Sequence, residues 1–188
     1  MEQVSDPFAL GAREGLPEGL DALLRQHPRE GWQSHPEFGE LTRFWLERHL
    51  AFREMLSRLE ADGRAAYGND LDPQVHAQRL SRLGGMFLEH LHGHHSIEDA
   101  VYFPKLIVHA PTLERGFEIL DADHHRLHDE LDAFANDANA VLRGGGTDAV
   151  GRLNDGLERM QAFLDRHLTD EEDLVVPVIL EVGEGRLG

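Results

Sequence analysis

Two stretches of this chain place a carboxylate four residues after a histidine: His94-His95-Ser96-Ile97-Glu98-Asp99 and His167-Leu168-Thr169-Asp170-Glu171-Glu172. Each has a proline ten residues beyond its histidine, Pro104 and Pro177. On an α-helix a spacing of four puts both side chains on one face, one turn apart. Imidazole with carboxylate is ligand chemistry for iron, manganese or zinc. One such pair would mean little. The repeat is the signal, because two pairs on two helices can face each other across a bundle.

The elements that must position these residues follow from apolar spacing and punctuation. A first helix is expected from about Pro36 to Asp62, stopped by Gly63, with a stripe of Phe38, Leu41, Trp45, Phe52, Leu56 and Leu59. A second starts at Asp72 as N-cap with Pro73 in its first turn, carries Leu80, Leu83, Phe87, Leu91, Ile97 and Val101, and meets Pro104, which should kink or end it. A third opens at Pro111, carries Leu113, Phe117, Leu120, Leu127, Leu131 and Phe134, and stops at Gly144-Gly145-Gly146. A fourth opens near Thr147 or Asp148 and carries Val150, Leu153, Leu157, Met160, Leu164, Leu174 and Val178. No strand-like alternation interrupts them. Helices of roughly 27–35 residues are ~40–50 Å long, and short connections make neighbours antiparallel. The expected fold is all-α, an up-down-up-down four-helix bundle over residues 34–183. Residues 1–33, with prolines at 7, 17 and 28, read as an N-terminal arm with one possible short helix between Leu16 and Gln26.

At one level of each stripe a polar residue takes the core position. The first helix steps Trp45, His49, Phe52; the second Phe87, His90, His94, Glu98. The third steps Leu120, His124, then His128 beside Leu127; the fourth Leu164, His167, Glu171, Leu174. Each helix thus points at least one histidine at the axis, and antiparallel packing brings them to similar heights. Buried carboxylates without partners cost several kcal/mol each, and a divalent cation supplies the missing partner. His27, His35, His76, His92, His95, His109 and His125 fall off the stripes, in the arm or near helix ends, and are expected to be solvated or to support the ligands.

Composition narrows the chemistry further. There is no cysteine among 188 residues, which excludes thiolate zinc sites, iron–sulfur clusters and cysteine nucleophiles. Acidic residues number 35 against 18 basic, a net charge of −17 that repels nucleic acid and anionic lipid. No apolar run approaches the roughly 18 residues of a membrane span, and no signal pattern opens the chain. It reads as cytoplasmic, with neither nucleic acid nor membrane as partner.

At these residues, over about 36–182, the chain resembles the hemerythrin family, in particular bacterial hemerythrin-like domains of the HHE cation-binding type. The resemblance implies a four-helix bundle holding two irons bridged by carboxylates and an oxo or hydroxo group. It implies the ligands His49, His94, Glu98, His124, His128, His167 and an acidic residue of the fourth helix. Oxygen-carrying relatives place that acid five residues after the histidine, which would select Glu172; the internal repeat and the apolar stripe select Glu171. His90, one turn before His94, is an additional candidate. Ferritin-like bundles use Glu-x-x-His motifs, and the one such triplet, Glu89 to His92, points off the stripe. Zinc or manganese fits less well than iron, since zinc prefers a closed four-ligand site. The function implied is reversible binding of oxygen or a related small ligand for sensing, storage or delivery. The alternative is a redox enzyme acting on peroxide, nitric oxide or ferrous iron.

Overall fold

The computed structural model describes residues 9–187, and among them the chain is helical with no strand. A short helix α1 (Ala22–Gln26) and a 3₁₀ turn (Arg29–Ser34) precede the long helix α2 (Glu40–Tyr67). Residues 73–109 form one unbroken helical run. It consists of α3 (Pro73–Arg79), α4 (Gly85–Ile97) and α5 (Phe103–His109), joined by π-helical turns at Leu80–Gly84 and Glu98–Tyr102. A 3₁₀ turn (Pro111–Leu113) leads into α6 (Glu114–Leu142), and α7 (Gly146–Val182) is followed by a last 3₁₀ turn (Glu184–Arg186). No helix among the described residues is long and apolar enough to cross a membrane.

Several helix ends differ from the sequence expectation, each for a local reason. α2 begins at Glu40 rather than Pro36 because its cap comes from far along the chain. The Glu184 carboxylate accepts from the backbone N–H groups of Gly39 (3.1 Å), Leu41 (3.1 Å) and Thr42 (2.8 Å), and from the Thr42 hydroxyl (2.8 Å). Burial would raise the pKa of Glu184, but these donors hold it below its ordinary value. Gly63 does not stop α2. A Cβ there would lie 2.1 Å from Asn154 Oδ1, and Asn154 Nδ2 donates to the Gly63 carbonyl at 3.1 Å. The glycine serves a close approach, and α2 ends only beyond it, where Asn69 takes a positive φ of 61°.

Asp72 caps the second run as expected, accepting from the N–H groups of Gln74 (2.9 Å) and Val75 (3.1 Å). Pro104 does not end that run, which continues to His109. The π turn just before it already departs from α-helical bonding, so the missing proline N–H falls where the ladder is adjusting. The same turn shifts the helix phase. Ile97 and Val101, expected in the core, are 54% and 41% exposed, while Glu98, Phe103 and Leu106 are buried.

The described chain forms two units. The first comprises residues 9–49, 96–124 and 165–187. Its core joins Trp45, Phe103, Leu106, Phe117, Leu120, Leu174, Val178 and Ile179 with Leu20 of the arm. Trp32, also from the arm, packs with Val176 and Leu180. α7 is consequently buried on almost every side from His167 to Leu180. The second unit comprises residues 50–95 and 125–164. Phe52, Leu56, Phe87, Leu91, Leu131, Phe134, Leu157 and Met160 are buried in it, with Phe87 and Phe134 edge to face at 6.1 Å.

Candidate metal centre

The first unit gathers histidines and carboxylates in its interior. His49 from α2, Glu98 from the π turn, His124 from α6, and His167 with Glu171 from α7 are all buried. Ligand atoms of His49, Glu98 and Glu171 lie within 4.8 Å of one another, as do those of His124 and His167. Glu171 is the hub. Its Oε1 lies 3.2 Å from His49 Nε2 and its Oε2 lies 3.3 Å from His167 Nε2. The indole Nε1–H of Trp45 donates to Oε1 at 2.5 Å. His124 Nε2 approaches Glu98 Oε2 at 3.6 Å.

The far nitrogens of the three rings are held as well, each by a different carboxylate. His49 Nδ1 lies 3.0 Å from Glu172 Oε1, His124 Nδ1 2.7 Å from Asp99 Oδ1, and His167 Nδ1 3.3 Å from Asp123 Oδ2. A carboxylate behind the ring fixes the proton on Nδ1 and leaves Nε2 as the donor atom. The two sequence repeats therefore extend one residue further than first read. In Glu98-Asp99 and in Glu171-Glu172, the first acid faces the other ligand groups and the second holds Nδ1 of a histidine on another helix. Glu172 lies off the apolar stripe that selects Glu171 and would face solvent on an uncovered helix. It is 5% exposed instead, since the arm covers that side of α7.

The electrostatics of the protein chain describe a site that wants a cation. Burial, reinforced by the neighbouring charges of Glu171 and Asp99, pushes the Glu98 carboxyl well above its usual range. Burial alone would lower His167, but Asp123 and Glu171 carry it up to about 9. Burial opposes protonation of His49 too, and Glu171 and Glu172 raise it. His124 is lowered, chiefly by burial. Asp123 is held below its ordinary value despite burial by hydrogen bonds from Arg13 and His167. Protons here stand where a divalent ion would neutralise the same carboxylates. Nε2 atoms and carboxylate oxygens, with no thiolate, are the donor set of such an ion.

The remaining expected site residues, His90, His94 and His128, lie in the second unit. His94 is half-buried one turn before Glu98 on the continuous helix, its ring 5.1 Å from that of Phe52. His90 is exposed. His128 is exposed too, with 57% of its side chain accessible, against His92 (5.8 Å between rings) and 3.9 Å from Asp132. Leu127 takes the inward position that the spacing left between them. Two histidines expected off the stripes are buried, His76 and His95. His76 sits under a lowered pKa caused by burial, and His95 lies one helical step from His94. Phe87, Leu91 and His95 step by four along the buried face of α4, a spacing that could have found His95.

Two arginines of the arm were not anticipated at all. Arg13 is buried, its Nη1 donating to Asp123 Oδ1 at 2.8 Å, its Nη2 to Asp123 Oδ2, and its Nε to Asp170 Oδ2 at 2.7 Å. Arg29 donates to Glu172 Oε2 (2.8 Å), Asp173 Oδ1 (2.6 Å) and the Thr169 carbonyl (3.0 Å).

Among known families, the hemerythrin HHE cation-binding domain matches residues 40–184. The matched span includes every histidine and carboxylate of the centre and leaves both arm arginines outside. No curated protein and no solved structure matches the chain.

Proposed function

Because this chain belongs to the hemerythrin HHE cation-binding family, we propose that its histidine and carboxylate clusters hold two irons and bind oxygen or a related small ligand reversibly. The protein would serve sensing, storage or delivery in the cytoplasm, on a four-helix bundle of up-down-up-down order over residues 34–183. Within the first unit one group of ligands is His49, Glu98 and Glu171, and the other is His124 with His167. When bound, the metal pair supplies a redox-active centre with affinity for small oxygen-like ligands.

One observation supports the reading above the rest. The Nδ1 atoms of His49, His124 and His167 are each held by an acid, buried for Glu172 and Asp123 and exposed for Asp99, so that Nε2 is the atom offered to Glu171 or Glu98. A merely hydrogen-bonded core histidine does not need both nitrogens on carboxylates. Ligating histidines characteristically have this backing. Trp45 orients Glu171, and the interior position of these groups excludes bulk water.

The redox alternative has its own observation. Trp45, whose N–H bonds Glu171, stacks edge to face on Tyr102 with ring centroids 5.0 Å apart. During turnover the pair would hold the Glu171 carboxylate in place, with Trp45 as a fixed hydrogen-bond donor. Elemental analysis of protein from unsupplemented cells, with a visible spectrum under air and under argon, tests the proposal. Two irons per chain and a band that appears and fades with oxygen are expected. A single ion, or zinc alone, would overturn the di-iron reading. Irreversible bleaching with substrate consumption would favour the enzyme.

A further inference from the structure

We propose that the N-terminal arm is a working part of the metal centre: Arg13 and Arg29 are positioning residues that fix the carboxylates holding His167 and His49. This rests on the metal-binding reading above. It concerns residues outside the span that the family shares, since the match begins at residue 40.

Each arginine holds an acid that backs a histidine, but the grips differ: Arg13 meets Asp123 with two nitrogens, whereas Arg29 puts one nitrogen on Glu172 and another on Asp173. Glu172 divides its oxygens, giving Oε2 to Arg29 at 2.8 Å and Oε1 to His49 Nδ1 at 3.0 Å. Asp123 is gripped by two nitrogens of the Arg13 fork, while its Oδ2 also faces His167 Nδ1 at 3.3 Å. A forked guanidinium sets the plane of a carboxylate, which a single ammonium cannot do. The plane of the carboxylate in turn sets the tilt of the imidazole and the direction of its Nε2. Without the arginine the acid is a buried anion free to turn, and the imidazole loses its fixed backing.

The two arginines differ in exposure, and the difference can be measured. Arg13 has 3% of its side chain accessible, Arg29 has 39%. Salt screens exposed pairs and leaves buried ones largely alone. Arg29 is the weaker, salt-sensitive hold, and Arg13 the fixed one.

The test follows release of ferrous iron from the loaded full-length protein to an excess of a ferrous chelator under argon. Arg29→Ala should speed release about tenfold or more, within the 10–100-fold range in metal affinity typical when a group backing a ligand is removed. Arg29→Lys should recover only part of the loss. In a Glu172→Gln background, Arg29→Ala should add almost nothing, because it acts through Glu172. Release from wild type should quicken with ionic strength, and Arg29→Ala should lose that dependence. Asp99→Asn, which strips the acid behind His124, is the comparison that leaves the arm alone. Arg13→Lys is the partner variant on the other side, used because full truncation there could unfold the unit. Melts of the metal-free variants separate loss of fold from loss of positioning. Unchanged release in both Arg29→Ala and Arg13→Lys overturns the proposal, as do independent, multiplying effects of Arg29→Ala and Glu172→Gln. A wild type that takes up no iron fails differently, because it overturns the metal reading itself.

Discussion

Glu171 and Glu172 are adjacent, both buried, and predicted to fail in different ways when neutralised. Glu171→Gln keeps the shape but replaces one carboxylate oxygen by an amide N–H₂, at a residue 3.2 Å from His49 Nε2 and 3.3 Å from His167 Nε2. Removing one partner of a fully buried charge arrangement costs about 3–5 kcal/mol, or roughly two to three and a half decades in affinity. Glu172→Gln leaves an amide oxygen able to accept from His49 Nδ1, so the ring retains a partner of reduced strength. Losing the charge behind a ligand costs about 10–100-fold, near 1.4–2.8 kcal/mol. The assay is equilibrium competition for ferrous iron against a chelator of known affinity, with metal per chain counted at saturation. Glu171→Gln should fall to about one ion per chain, whereas Glu172→Gln should retain two with weaker binding. Asp132→Asn, at a carboxylate 72% accessible, is the surface reference and should shift stability by no more than about 0.5 kcal/mol. The reasoning is refuted if Glu172→Gln matches the surface reference, or if it loses an ion that Glu171→Gln keeps.

His128→Ala should leave metal content unchanged, since His128 is exposed; elemental analysis showing a loss would restore the spacing argument for it. The Glu184 carboxylate has a lowered folded pKa, so its capping contribution is present above the unfolded value, about 4.3, and is lost as pH falls through the folded value. Glu184→Gln should therefore cost about 1 kcal/mol at neutral pH and less on acidification, narrowing the gap between the two melting curves below about pH 5; a constant gap would place the stabilisation elsewhere. Gly63→Ala should destabilise by about 1–3 kcal/mol even though alanine favours helix, because its Cβ would sit 2.1 Å from Asn154 Oδ1. A rise in melting temperature would mean that Asn154 swings away freely.

Much of the helix plan was legible because the apolar stripes are long and regular. Phe117, Leu120, His124, Leu127, Leu131 and Phe134 step by threes and fours and are all buried in α6. That same stripe holds the reason against His128, because 124 to 127 to 131 is already a complete inward path. The misreadings have two physical sources. Periodicity assumes about 100° per residue, and the π turn Glu98–Tyr102 breaks that phase, leaving Val101 outward. Amphipathicity assumes that the far side of a helix meets water, and the arm removes that water from α7. The run Leu174-Val175-Val176-Pro177-Val178-Ile179-Leu180 is apolar on every side, which marks a helix covered all round and could have warned that Glu172 was no surface residue.

The acids four and five residues after His167 have different neighbours, Glu171 facing His49 Nε2 and His167 Nε2 and Glu172 facing His49 Nδ1. In Glu171-Glu172 and again in Glu98-Asp99, consecutive acids diverge by about 100° around the helix. One turns to the Nε2 side of the cluster and the next reaches Nδ1 of a neighbouring helix's histidine. A metal centre built this way sets the position of a ligand and the orientation of a different ligand with adjacent residues of one helix. The two copies differ in what stands behind the second acid. Asp99 keeps 36% of its side chain accessible, whereas Glu172, at 7%, is backed by Arg29. Burial of that second anion is tolerable only with its own counter-charge, so a segment with no ligand of its own, the arm, becomes a condition for the centre in α7.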